Sequence, residues 1–337
     1  DRTHKDLPPS HNKLISAVAK AQPNTAVILT NGSAIAMPWV DQVSAILETW
    51  LGGQAGAGAI VDAVFGKVNP SGKLAETFPV RLEDSPAYLN FPGEDGQVIY
   101  GERMFVGYRY YDKRNIEPLF PFGHGLSYTE FGYSDLKLSD TELTDKDKLE
   151  VSLTVTNTGK VKGKEVIQLY VADKESTVQR PVKELKAFDK IELEAGESKS
   201  VNFTLNKRDF SYYSKVYDRW LAESGEFQIL VGSSSRDIRL KGNLNLNNTE
   251  KLNYTMTMFS FFSEFWSNPQ LKPLLIEFMP NWIKAMTPAG KPIEEAKIED
   301  FLQQQPLIKF PYFTGGEVDE QKIKAFVEQI NQLTFNP

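Results

Sequence analysis

Apolar residues recur at two different spacings near the start of the chain, as they do where helices and strands follow one another. "HNKLISAVAKAQ" places Leu14 and Val18 at helical spacing, and the apolar run "TAVILT" follows after a turn. "DQVSAILETWL" repeats the helical period through Val43 and Ile46, and "AGAGAIVDAVFG" starts another helix after glycines. Residues 12–66 therefore predict alternating α and β elements around a parallel sheet.

From about Asp135 the pattern changes to short, partly alternating apolar runs separated by turn residues. These runs are "LEVSLTVTNTG", "KEVIQLYVAD", "ELKAFDKIEL", "SKSVNFTLN", "GEFQILVG" and "DIRLKGNLNL". Strands at this spacing predict a β-sandwich of the immunoglobulin or fibronectin type III kind. A true immunoglobulin domain has no support, because the chain contains no cysteine.

Beyond Asn248 the pattern is helical again. It is clearest in "EVDEQKIKAFVEQINQL", where one face carries Ile323, Phe326, Val327, Ile330 and Leu333. This part of the chain predicts a helical C-terminal extension.

The composition narrows the classes of function. A length of 337 residues suggests at least two domains. A net charge of −6 offers nucleic acid no basic surface, so we expect no nucleic-acid partner. The absence of cysteine and the presence of only three histidines exclude thiol chemistry and argue against a metal or other cofactor. The apolar stretch "MTMFSFF" is interrupted by Glu264 and is too short to span a bilayer, so no membrane partner is expected.

Two glycine-rich stretches imitate nucleotide-binding motifs. "GGQAGAGAI" is followed by Val61, where the dinucleotide fingerprint needs its third glycine, and it comes after a predicted helix instead of a strand. "GKVNPSGKL" has five residues between Gly66 and Gly72, where a phosphate loop has four, and Leu74 stands where Ser or Thr would bind magnesium. We interpret neither as a nucleotide site, and the residues that start at Asn69 as a turn.

The stretch "FPFGHGLSYT" places His124 between two glycines and three residues before Ser127. A serine hydrolase would need a Gly-x-Ser-x-Gly elbow and an acid that orients the histidine, and neither is evident. The glycines are better explained by the backbone freedom of a turn.

The stretch "YGERMFVGYRYYDK" alternates aromatic residues with Arg103 and Arg109. Such a segment stacks against a sugar ring or packs in the protein interior. We favour packing, because aromatic side chains are more often buried.

Many phrases of the chain, in one order, resemble the C-terminal half of glycoside hydrolase family 3, the family of β-glucosidases and β-xylosidases. They are "NGSAIAMPW", "ILETWLGGQAGAGAIVDAVFGKVNPSGKLAETFP", "GYRYYD", "PLFPFGHGLSYTEF", "VTNTG", "RPVKELKAFDKI", "LEAGES" and "VGSSSRDI". The resemblance covers about residues 1–245, and the remainder looks like the helical extension of some bacterial members.

The resemblance implies a fold of the α/β plus all-β class, in four segments. Residues 1–92 would form the C-terminal part of an α/β sandwich domain and 93–134 an interdomain connection. Residues 135–248 would form a fibronectin type III-like β-sandwich, and 249–337 a helical tail. In this frame His124 lies in the link to the sandwich, at a turn and packing corner.

The function implied by the resemblance is that of a retaining β-glycosidase acting on terminal non-reducing β-linked sugars. The family's nucleophilic aspartate lies in a (β/α)8 barrel that we expect outside this chain. Its acid/base glutamate usually precedes an Asp-Arg or Ser-Arg pair, so we expect it just before Asp1, with Asp1 and Arg2 beside the active site. Retention requires two carboxyl groups about 5 Å apart, and neither is expected within this chain.

We therefore expect the chain to be inactive alone and to need a β-glycoside substrate and a barrel-bearing N-terminal portion of the same enzyme. A homo-oligomer stays open. Residues 1–92 should fold poorly alone, because a parallel sheet without its leading strands exposes apolar edges and faces. Two alternatives also stay open, a non-catalytic carbohydrate-binding module and a purely structural subunit.

Overall fold

The computed structural model describes residues 4–215, 217–250, 252–253 and 255–335. The chain forms two compact units. The first unit comprises residues 1–211 and 222–247, and the second comprises 212–221 and 248–337. Each unit has an apolar core of its own.

The first unit begins with helices and a small parallel sheet. Its elements are helix α1 (Pro9–Ala21), strand β1 (Ala26–Leu29), strand β2 (Ala45–Glu48), helix α2 (Gly56–Val64) and helix α3 (Tyr108–Arg114). β1 and β2 pair in parallel, with Ala26 opposite Ala45. Val27 and Leu29 on one face of β1 pack against Trp39 and Phe78, while the other face of β1 is exposed.

The predicted helix over "DQVSAILETWL" is wrong, because its centre is strand β2 and only Val40–Gln42 forms a 3-10 turn. Val43, Ile46 and Trp50 fit a helical period, but they also suit a short buried strand. The pairing of Ile46 with Val27 decides in favour of the strand. Such pairing links distant parts of the chain and is invisible to a local pattern.

The rest of the first unit is a β-sandwich, and strands β9 and β10 within this stretch belong to the second unit. The elements are β3 (Phe131–Leu138), β4 (Glu142–Thr144), β5 (Leu149–Asn157), β6 (Gly163–Asp173), β7 (Glu184–Leu193), β8 (Ser198–Leu205), helix α4 (Lys207–Phe210), β9 (Tyr212–Ser214), β10 (Arg219–Leu221), β11 (Gly225–Gly232) and β12 (Ile238–Asn247). The sheets have the orders β3-β5-β8 and β4-β12-β11-β6-β7. The six strands predicted from the sequence are confirmed.

Alternation builds the core between these two sheets. In β5 every second residue from Leu149 to Val155 is buried, and Leu153 lies opposite Val201 of β8. Ile167 of β6 and Phe227 of β11 enter the same apolar cluster. Successive side chains of a strand point to opposite faces, so the period of two makes one face of each strand apolar.

The second unit is mainly helical. Its further elements are β13 (Leu252–Asn253), α5 (Phe262–Trp266), α6 (Lys272–Phe278), α7 (Pro280–Ala285), α8 (Asp300–Gln303), α9 (Phe310–Phe313), α10 (Glu320–Ile330) and β14 (Thr334–Phe335). Asp319 caps α10 by accepting from the Lys322 amide at 2.8 Å. The predicted apolar stripe of α10 is buried from Ile323 to Ile330. Among the described residues, no helix is both long and apolar enough to cross a membrane.

Candidate functional site

A pocket of about 450 Å³ lies in the α/β part of the first unit. It is bordered by the start of the described chain, the loop that follows β1, the segment after Glu76 and the first turn of α3. Its lining residues are His4, Lys5, Ser33, Ala34, Glu76, Thr77, Pro79, Leu82, Ser85, Pro86, Gly107 and Tyr111. Ligands of open α/β sheets bind at the carboxyl ends of strands, and the loop after β1 leaves such an end.

Hydrogen bonds between distant segments hold the walls of this pocket. The buried Lys5 ammonium donates to the Pro79 carbonyl at 3.0 Å, and the Lys5 carbonyl accepts from the Ala36 amide at 3.0 Å. The Glu76 carboxylate accepts from the Ala34 amide at 2.7 Å. The loop after β1 is therefore fixed on both sides.

The floor of the pocket offers polar groups that a ligand with hydroxyls could use. Thr77 is only 7% exposed, and its hydroxyl has no hydrogen-bond partner within the described residues. Burial, together with the charge of Asp84, raises the pKa of Tyr111, so its hydroxyl keeps its proton and donates. These groups suit binding, because none of them forms a nucleophile and base pair.

Glu48 ends β2 near this pocket and is not fully paired. One carboxyl oxygen accepts from the Trp50 amide at 2.9 Å, and the other has no partner among the described residues. Burial raises the pKa of Glu48, and the charge of Glu76 adds to the rise. Glu48 therefore holds its proton to a higher pH than an exposed glutamate does.

The predicted residues beside the active site, Asp1 and Arg2, lie outside the described residues. Within the described ranges, no group of three or more His, Asp or Glu side chains could hold a metal ion.

The histidine motif and the second glycine-rich stretch form one corner of the first unit. The Leu74 amide donates to the His124 carbonyl at 2.8 Å, and the Gly123 amide donates back to the Leu74 carbonyl at 2.8 Å. Further along, the Phe78 amide donates to the Phe120 carbonyl at 2.8 Å. "GKVNPSGKL" thus leads into a short antiparallel ladder and cradles no phosphate.

The side chains of His124 and Ser127 do not meet in a catalytic pair. The His124 ring stacks on Phe120 with 5.4 Å between centroids, and the Ser127 hydroxyl donates to the Asn69 side chain at 2.9 Å. Burial, with the nearby charge of Lys73, lowers the pKa of His124. The imidazole is a neutral packing group near pH 7.

The glycines on either side of His124 are required by the close approach of other groups. Gly123 has φ of +81°, and a side chain there would collide with the Gln168 amide. A side chain at Gly125 would collide with the Gly72 carbonyl. The opening motif is therefore a turn.

The aromatic segment before this corner divides into a buried and an exposed half. Tyr108 and Tyr111 of α3 are buried, and the Tyr108 hydroxyl accepts from the Leu185 amide at 2.8 Å. Arg109 lies 3.5 Å from Glu184. Packing thus describes α3, whereas Tyr100 is 78% exposed.

Comparison with protein families settles what this combination of parts is. Residues 1–128 match the model of the glycosyl hydrolase family 3 C-terminal domain, and residues 165–235 match that of a fibronectin type III-like domain. The chain belongs to glycosyl hydrolase family 3. It corresponds to the C-terminal part of family 3 β-glucosidases.

Named relatives of this family 3 chain come from bacteria and fungi. It is 48% identical over 337 residues to thermostable β-glucosidase B of Acetivibrio thermocellus, covering 99% of this chain and 44% of that protein. It is 44% identical over 255 residues to a probable β-glucosidase I of Aspergillus oryzae, covering 74% of this chain and 30% of that protein. The chain spans less than half the length of these relatives.

Solved family 3 structures agree with the fold. A Bifidobacterium adolescentis β-glucosidase is 41% identical with a TM-score of 0.74, covering 82% of this chain and 40% of that one. A Kluyveromyces marxianus β-glucosidase in complex with glucose is 45% identical with a TM-score of 0.69, covering 73% of this chain and 30% of that one.

Sequence reasoning missed the pocket residues Lys5, Glu76, Thr77 and Tyr111. Glu76 and Thr77 lie in the phrase "GKLAETFP", which carried part of the family resemblance. No local spacing marks them, because the pocket joins segments far apart in the chain.

Proposed function

We propose that this chain is the C-terminal portion of a retaining β-glucosidase that acts on terminal β-linked sugars. The observation that carries the proposal is the 48% identity over 337 residues to a bacterial β-glucosidase of which the chain covers 44%. The catalytic barrel and both catalytic carboxylates belong, in this proposal, to the N-terminal portion. The proposed segments remain 1–92, 93–134, 135–248 and 249–337, and the end of β12 at Asn247 supports the third limit.

The N-terminal portion is the proposed partner, and the surface of the first unit supports this. Most exposed large hydrophobic side chains of the described residues lie before residue 129. Helix α2 is almost entirely apolar, yet none of its residues is buried. The described part of the α/β sheet has two strands, too few for independent stability, and large apolar patches mark contact surfaces.

Hydrolysis of nitrophenyl β-glucoside and β-xyloside tests the proposal. The samples are this chain, the N-terminal portion of the Acetivibrio thermocellus β-glucosidase B, and their mixture. We expect turnover in the mixture alone, with retained anomeric configuration, because a positioned general acid contributes about 100- to 10,000-fold and the nucleophile opens the double-displacement route.

Three other outcomes would contradict the proposal. Robust turnover by this chain alone, lost on mutating one of its own carboxylates, would place the catalytic groups here. Binding of β-glucan by the chain without turnover in the mixture would favour a carbohydrate-binding module. Neither binding nor turnover in any mixture would favour a structural subunit.

A further inference from the structure

The helical second unit contains a cleft of about 580 Å³. The start of α7 forms one wall with Asn281 and Trp282, and the end of α9 with the following turn forms the other with Phe313 and Glu317. All of these residues lie within the second unit.

The indole of Trp282 is the least expected feature of this cleft. The residue is 7% exposed, and its ring packs edge-on against Phe262 and Phe310 at centroid distances of 5.8 and 5.3 Å. Its N–H group nevertheless has no hydrogen-bond partner among the described residues, although a buried indole N–H usually has one. A ligand in the cleft would supply the missing acceptor.

Other polar groups of the cleft are fixed in place. The Glu317 carboxylate accepts from the backbone amides of Asn281 and Trp282, each at 2.8 Å. Gly315 and Gly316 follow with φ of +60° and +89°, and within the described chain their amides have no partner. The Asn281 side chain is exposed at the rim.

This arrangement selects the chemistry of the ligand. The carboxylate repels an anion and accepts hydrogen bonds, while the indole, glycine and Asn281 N–H groups donate them. Hydroxyl groups both donate and accept, and the ring of Phe313 offers an apolar face. A neutral molecule with neighbouring hydroxyls and apolar C–H faces meets all three demands.

We propose that the cleft between α7 and α9 is a binding site for a neutral saccharide, separate from the hydrolytic function. The use of β-linked glucose as probe rests on the proposed function. Binding positions the extension on glucan and involves no bond cleavage, so Trp282 and Asn281 are binding residues.

Titration of the full chain with cellobiose, followed by the indole N–H signals in ¹⁵N NMR, tests the site. The chain has five tryptophans, and Trp282→Phe identifies the signal of interest. We expect a saturable shift of that signal in the millimolar range and about tenfold weaker binding for Asn281→Ala, since one hydrogen bond is lost. Trp266→Phe is the matched control, because Trp266 stacks on the same Phe262 at 5.7 Å but does not line the cleft.

The outcomes separate the proposal from its alternatives. No shift with cellobiose, or an equal shift with glycerol at the same hydroxyl concentration, overturns it. Equal loss of binding in Trp266→Phe and Asn281→Ala also overturns it, because the effect would then come from the fold of the unit. Should Trp282→Phe fail to fold, the exposed Asn281→Ala variant carries the test. Failure of hydrolysis in the mixture would sink the proposed function and leave this titration unaffected.

Discussion

His124 shows how its neighbours decide the role of a residue. The imidazole lies against Phe120, and the hydroxyl that precedes Tyr128 bonds to Asn69 instead of to the ring. Residue type and spacing suggested chemistry, while the two collisions that exclude side chains at Gly123 and Gly125 explain the motif as a turn.

His124→Ala should lower the free energy of unfolding by about 1 kcal/mol while leaving turnover of the assembled enzyme nearly unchanged. Thermal melting and nitrophenyl glucoside kinetics check this. A thousandfold loss of turnover with unchanged melting would contradict it.

The pH dependence of the same variant gives a second readout. The pKa of His124 is lowered in the folded protein, so below about pH 6.5 the unfolded chain binds more protons and the native protein loses stability as the pH falls. His124→Ala should flatten this slope, whereas His11→Ala, at an exposed position on α1, should leave it. The same slope in both variants would contradict the assignment.

At the scale of elements, buried ion pairs tie α3 to the β-sandwich. Asp112 of α3 accepts from Lys183 and, at 2.8 Å, from Arg236, and its side chain is almost fully buried. An ion pair of this kind is costly to break from one side, because the remaining charge stays buried.

Asp112→Ala should therefore lower the free energy of unfolding by about 3 kcal/mol or more, measured by urea denaturation. Adding Lys183→Met should recover part of the loss, since it removes the unpaired charge. The control is Lys291→Ala, which breaks an exposed pair with Glu295 and should cost less than about 1 kcal/mol. Equal losses in Asp112→Ala and Lys291→Ala would show that burial of the pair has no energetic weight.

The element scale also shows where sequence reasoning stops. The sandwich strands and α10 follow from their periods, because alternation and the helical stripe are local properties. Strand β2 was mistaken for a helix, because its pairing with β1 is not local. The pocket residues Lys5 and Thr77 escaped notice for the same reason, since only the folded chain brings them together.

At the scale of the whole molecule, the first unit presents the surface that a larger enzyme would cover. Val61 and Val64 of α2 are about half exposed, and Phe65 after it is 77% exposed. Apolar helices of this kind are usually buried on both sides of a parallel sheet.

Val61→Asp combined with Phe65→Asp should leave the melting temperature of the isolated chain nearly unchanged, because both positions already face solvent. The same variant should lose association with the N-terminal portion, and with it the turnover of the mixture. Sedimentation and the nitrophenyl assay check both statements. Phe188→Asp, at an exposed position of β7, is the control and should retain both. Unimpaired association of the double variant would move the contact surface elsewhere.

Asn69 has a consequence for the order in which the molecule folds. Its side chain bonds to Ser127, Tyr128 and Lys162, which lie 58, 59 and 93 positions further along the chain. Closing loops of that length loses chain entropy before the contacts compensate, so contacts of this kind slow folding. The corner around Asn69 should thus be among the last parts to form, after the local hairpins of the sandwich have already assembled.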